Sequence, residues 1–206
     1  MNKILAYIGY TILLINFICF LKSLSRNGRA FFVFTIYLGT IIIINLFAGI
    51  LNFLKYQNLI LSHFYFIFQF ILLSLFYKEI FINKTQKQIV KINLILVLFY
   101  LLVTYYLNTD LLGKFNLFEI FVTSISLCIY VVINYYNMLS NRKQFHLINA
   151  GLLIYLFGST FLFFFMDLSQ TYKLKWHSLL YPLNSILYII YQIFIFIEWK
   201  TNYSKS

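Results

Sequence analysis

Seven stretches of sixteen or more mostly apolar residues, none broken by Lys, Arg or Asp, occupy nearly all of this chain. A bilayer hydrocarbon core about 30 Å thick takes about 20 helical residues to cross. No backbone amide can be left without a partner there, so each stretch reads as a transmembrane α-helix. The pattern predicts helices at 4–21, 30–54, 59–77, 89–107, 117–137, 147–166 and 179–199. The expected fold is an all-α, polytopic integral membrane protein of seven transmembrane helices, one domain over 1–206, with no soluble domain.

Composition excludes the main alternatives. With 62% hydrophobic and 10% charged residues, the chain lacks the charge that a water-facing surface needs. The net charge of +11 sits in short connectors and not on one continuous face, which argues for a topology signal and against nucleic-acid binding. Cys19 and Cys128 both fall inside apolar spans and read as small apolar side chains. The first stretch is longer than a signal-peptide core and has no small-residue cleavage pattern, so it is expected to be a retained first helix.

The basic residues fix an orientation. Connectors on one side hold Lys3, Lys55, Lys114, Lys173 and Lys175, five in all; the other side holds Lys22, Arg26, Arg29, Lys78, Lys84, Lys87, Lys91, Arg142, Lys143, Lys200 and Lys205, which is eleven. Positive charge stays cytoplasmic, so the amino terminus is expected outside and the carboxy terminus in the cytoplasm. The longest connector is expected at 78–91, where Lys84, Lys87 and Lys91 anchor topology or, on one helical face, hold anionic lipid. Trp176, Trp199 and tyrosines near span ends fit an interfacial aromatic belt.

Polar side chains at depth must face other helices or a wet cavity. In the fifth helix Glu119, Thr123, Ser126, Tyr130, Asn134 and Asn137 recur every three or four residues and form one stripe. The seventh repeats the idea with Tyr181, Asn184, Tyr188, Tyr191 and Gln192, the second offers Asn45, Gly49 and Asn52, and the sixth offers Gly151, Tyr155, Gly158 and Ser159. Two readings stand. The stripes are interhelical hydrogen-bonding seams, or those of helices two, three, five and seven line an outward pocket. On the second reading the ligand-binding candidates are His63, Gln69, Glu119, Asn184, Tyr188, Gln192 and Asn45. Glu119 near a helix start is also what the helix dipole favours without any ligand.

Other chemistry finds little footing. No cofactor or metal is expected, because no His, Cys, Asp or Glu pair has recognisable ligand spacing. The seventh helix has no interior lysine for a retinal Schiff base, no span carries the mid-membrane charge of an ion pump, and no serine or cysteine has a histidine base beside it at depth.

Sliding the sequence by 118 aligns Ile15-Asn16-Phe17 with Ile133-Asn134-Tyr135 and Ile36-Tyr37-Leu38 with Ile154-Tyr155-Leu156. A second echo, with a five-residue insertion, matches Tyr65, Ile67 and Gln69 to Tyr188, Ile190 and Gln192. Helices one to three would then repeat as five to seven around a linker helix; chance in a biased composition is the other explanation. The run Leu61-Ser62-His63-Phe64-Tyr65, the block Gly151-Leu152-Leu153-Ile154-Tyr155 with Gly158-Ser159, and Asn184 to Tyr191 with Glu198-Trp199 resemble a family of short seven-helix bacterial membrane proteins. That resemblance implies a multi-pass membrane protein working beside a separate signalling protein. The 3+1+3 pattern also looks like the small sugar-transporter and PQ-loop architecture, although Pro182 is the one proline here.

The expected function is therefore that of a sensory or partner-interaction module of the bacterial cell (inner) membrane, not an enzyme. Its expected partners are the lipid bilayer, a membrane or signalling protein and a small-molecule ligand, with no nucleic acid. The alternative is facilitated movement of a small solute.

Overall fold

The computed structural model describes residues 2–139, 144–172 and 177–204. Arg142, Lys143, Lys173, Lys175, Trp176 and Lys205 of the charge and aromatic reading lie outside them. The described residues form α1 (Asn2–Lys22), α2 (Arg29–Phe53), α3 (Leu59–Ile80), α4 (Lys84–Leu107), α5 (Leu117–Met138), α6 (His146–Thr171) and α7 (His177–Asn202), with short 3-10 turns at Leu24–Arg26 and Thr109–Gly113. All seven are long and apolar enough to cross a membrane, and the described residues contain no strand.

Two helix ends depart from the sequence reading by five residues, the end of α6 at Thr171 and the start of α4. α4 starts at Lys84, five residues before the expected boundary, so Lys84, Lys87 and Lys91 lie on its first turns and the connector shrinks to three residues. Asn83 makes that start: its side chain accepts a hydrogen bond from the Thr85 amide at 2.9 Å, satisfying one of the orphan donors of a helix N-terminus. Lys and Gln are good helix formers, so nothing local opposed the extension. Lys84 and Lys91 are exposed and Lys87 is half-buried.

The chain divides into two compact units, Asn27–Tyr130 and Met1–Arg26 with Val131–Ser206. In the first, α3 lies between α2 and α4. The buried face of α2, Phe31, Phe34, Thr35, Tyr37, Leu38, Ile41 and Ile44, meets α3 through pairs such as Phe34 with Phe76, ring centres 5.1 Å apart. The polar stripe of α2 turns only partly inward. Asn45 is half-buried, Asn52 is exposed, and a Cβ on Gly49 would meet open space.

In the second unit α7 lies between α1 and α6. Pairs run forward along both chains for α1 and α7, Gly9 against Tyr188, Asn16 against Gln192 and Ser23 against Trp199, so these helices are parallel. They run in opposite senses for α6 and α7, from Leu147 with Glu198 to Gly158 with Leu187. The small residues of α6 permit close approach: a Cβ on Gly151 would lie 2.9 Å from Phe194 Cβ, and one on Gly158 2.7 Å from Leu187 Cδ1. The residues of the internal echo make different contacts in the two units. Tyr37 of α2 bonds Gln69 of α3, while Tyr155 of α6 stacks on Tyr191 of α7 at 5.4 Å, next to Gln192.

Candidate functional site

Within the Asn27–Tyr130 unit, three helix ends bring together the most polar buried cluster of that unit. His63 lies in the second turn of α3 and is 3% exposed; Glu119 lies in the first turn of α5 and is 0% exposed. Tyr105 comes from the last turn of α4 and is half-buried. His63 Nδ1 is 2.5 Å from Glu119 Oε2, and the Tyr105 hydroxyl donates to the same oxygen at 2.6 Å while standing 2.9 Å from Nδ1. The other imidazole nitrogen, Nε2, bonds the Lys114 carbonyl at 3.1 Å.

Local sequence explains why Glu119 turns toward this cluster. Asn116 caps α5: its Oδ1 accepts from the amides of Phe118 at 3.1 Å and Glu119 at 3.3 Å, as an N-cap side chain does. Asn116 followed three residues later by Glu119 is a capping-box spacing, in which the acid ordinarily folds back onto the cap amide. Here the carboxylate reaches across to α3 and α4, and the Asn116 amide donates to the Tyr105 hydroxyl at 3.2 Å.

The result is a lopsided carboxylate. Oε2 collects two partners, whereas Oε1 is buried with no hydrogen-bond partner. A buried acceptor without a donor costs roughly 1–3 kcal/mol, more when charged. Such an atom is an exception among buried polar groups and calls for an explanation.

The remaining candidates fall in different places. Gln69 sits further along α3 and donates to the Tyr37 hydroxyl at 3.3 Å, and Asn45 is half-buried on α2. Asn184, Tyr188 and Gln192 stand on α7, in the other unit. Gln192 accepts twice from the Asn16 amide, through its backbone carbonyl at 2.9 Å and Oε1 at 3.0 Å. Tyr188 packs its ring on Gly9 and edge-on against Tyr155, centres 5.6 Å apart. Asn184 Oδ1 and Asn16 Oδ1 are buried acceptors without a donor. Asn16→Leu is expected to cost about 0.6 kcal/mol and at most about 1.7 kcal/mol, the range for interhelical bonds in lipid. Reversible unfolding in a denaturing detergent series measures it.

Sequence reasoning found His63 and Glu119 but not Tyr105, Asn116, the Lys114 carbonyl or Asn16. The stripe of α5 is its buried face: Glu119, Thr123, Ser126, Tyr130 and Asn134 are all buried. Tyr130 accepts from Asn93 of α4 at 2.8 Å, so part of the stripe is an interhelical seam. The Ser62 hydroxyl, one residue from His63, donates to its own helix at the Leu59 carbonyl, 2.6 Å away. Among the described residues no group of three or more His, Cys, Asp or Glu side chains is placed to hold a metal. What the arrangement can do is hold a proton and accept a hydrogen bond. No family model, curated protein or solved structure matches this chain.

Proposed function

We propose that this chain is a sensory or partner-interaction module of the bacterial cell membrane, without catalytic chemistry, whose recognition element is the His63–Tyr105–Glu119 cluster. The observation that carries the reading is the bare, buried Oε1 of Glu119. Most buried polar atoms have a hydrogen-bond partner, so an unpaired carboxylate oxygen calls for an explanation. The module sits with its amino terminus and this cluster toward the outside and its carboxy terminus in the cytoplasm. Eleven basic residues against five support that orientation, as does the parallel run of α1 and α7, which leaves the start of one and the end of the other at opposite ends of their unit. The described connectors between helices are short, at most nine residues, and on this reading a signal passes to a partner protein.

The test has two arms. Tagged full-length protein isolated from its own host is expected to bring down a membrane-associated signalling protein, and Glu119→Gln to change that protein's output at nearly unchanged folded yield. An equal loss of folded protein in the variant would mark Glu119 as structural and remove the reading. Reporter fusions at the two chain ends are expected to report opposite compartments.

A second reading, a facilitative carrier for a small neutral solute with a 3+1+3 helix order, is favoured by the donorless Asn16 and Asn184 oxygens in the α1–α7 pair. It requires solute flux in proteoliposomes that falls on Asn184→Ala or Gln192→Leu. Flux of that kind without any copurifying partner selects the carrier.

A further inference from the structure

We infer that the basic face at the start of α4, Lys84, Lys87 and Lys91, seats the headgroup of one anionic glycerophospholipid of the phosphatidylglycerol class. The inference goes beyond the sensory reading and rests only on α4 crossing a bilayer, for which it is long and apolar enough. The three lysines are spaced i, i+3 and i+7, so they share one side of the helix, with neighbouring Cβ atoms about 5–6 Å apart. Among the described residues none of the three ammonium groups takes part in an ion pair or a hydrogen bond. Glu79, half-buried in the last turn of α3, is the one acid near this end of the Asn27–Tyr130 unit, and it does not pair with them.

This placement runs against the local electrostatics. A helix start is the positive end of the macrodipole and favours acids, yet the first turn of α4 has none. Lys87 and Lys91, four residues apart, repel each other. Three cations over a positive helix end have no counter-charge in the chain, so the position attracts an anion from outside it.

Depth and surface select the anion. Counted back from Leu107, a hydrocarbon core about 30 Å thick takes up about 20 helical residues and ends near Lys87. Lys84 then stands among the headgroups and Lys91 about one turn below them. Side chains on a helix lean toward its N-terminus, which here is the headgroup side, and a four-carbon stem carries the Lys91 ammonium up to that level. All three charges therefore converge at the height of the lipid phosphate. Below them the same side of α4 is apolar and open: Ile95 is 57% and Leu102 67% exposed, with half-buried Leu98 between them. A phosphate above an acyl chain matches this order of charge and apolar surface; a soluble anion uses only the upper half. A zwitterionic headgroup brings its own cation and gains less from the three lysines.

The test titrates purified full-length protein in neutral detergent with phosphatidylglycerol or phosphatidylcholine and counts retained lipid by native mass spectrometry. One phosphatidylglycerol per chain is expected, bound more tightly than phosphatidylcholine. Each basic residue near an anionic lipid surface is worth about fivefold in affinity. Lys84→Gln, Lys87→Gln and Lys91→Gln are each expected to weaken phosphatidylglycerol by that factor, and the triple variant by about a hundredfold, with phosphatidylcholine unchanged. A control carrying Lys22→Gln, Lys55→Gln and Lys200→Gln, three exposed positions elsewhere, loses the same charge and is expected to bind as the wild type does. Glycerol 3-phosphate, a headgroup without acyl chains, is expected not to displace the lipid at equal concentration. Equal retention of the two lipids, unchanged retention in the triple variant, equal loss in the control, or displacement by glycerol 3-phosphate each overturns the inference. Should the triple variant not fold, the single variants and the lipid selectivity of the wild type decide. The titration involves neither the His63 cluster nor a protein partner, so its failure is separable from failure of the sensory reading.

Discussion

A Gly151→Leu variant is expected to lose most of its folded yield. A Cβ at this position lies 2.9 Å from Phe194 Cβ and 3.1 Å from Tyr191 Cδ2, and the nearer atom is fixed to the α7 backbone, so it cannot swing aside. Accommodating a leucine means separating α6 from α7. Overpacking of a closed interface costs roughly 1–3 kcal/mol and at times more, a large share of the ~5–15 kcal/mol that holds a typical domain together. Gly158→Ala should be milder, because the obstacle is a methyl at the end of the Leu187 side chain, 2.7 Å away. Gly49→Ala serves as a control, since a Cβ there meets nothing within 4 Å; it is expected to be neutral or to gain up to about 1 kcal/mol from helix propensity. Monodisperse yield and thermal unfolding in detergent rank the three. A Gly151→Leu protein as stable as the control would show that α6 and α7 do not meet as described.

The second large effect is expected about one turn away on the same helix pair, where Leu147 of α6 meets Glu198 of α7. The residue before α6 is Phe145, at φ 56°, which offers no capping oxygen. The cap comes from α7 instead: Glu198, 0% exposed, accepts from the Leu147 amide at 2.8 Å through Oε2 and from the Asn202 side chain at 2.7 Å through Oε1. Its charge is favourably placed at a helix N-terminus, and His146 Nδ1 stands 3.6 Å away. Glu198→Ala orphans a backbone donor and empties a packed site, for an expected loss of about 2 kcal/mol. Glu198→Gln keeps an acceptor for Leu147 and should lose less than half of that. Amide exchange at Leu147 is the direct readout, accelerating in the alanine variant before the helix centre does. Unchanged protection there would mean that water caps α6 equally well.

The two acids show how far a sequence carries such a reading. Seven helices were legible because bilayer thickness sets the length of an apolar run, and no soluble fold needs seven such runs. Their ends were less legible. Lys84 to Lys91 read as connector because lysine marks membrane edges, yet Asn83 two residues before Thr85 was a start signal of equal weight. The ends of α6 and α7, at Thr171 and Asn202, overran their apolar runs because polar residues there continue the helix.

His63 and Glu119 were legible as polar groups at similar depth in two spans. Tyr105 was not, since beside Tyr106 at a span end it had the look of a belt residue, and only the helix phase decides which of the two turns inward. Glu198 was invisible as a cap, because its role depends on which helix packs beside α7. Pairings between distant spans carry no periodic mark. Asn16 with Gln192 is the clearest case, being separated by 176 residues.

That separation matters before the protein is finished. Its first span emerges from the ribosome carrying a buried-type amide whose partner is not translated until 176 residues later, roughly 10–35 s at ordinary elongation rates. During that interval the Asn16 amide waits without its partner, and a chain cut short before α7 never supplies one. Quality control that watches for a lingering unpaired amide would find its mark in α1.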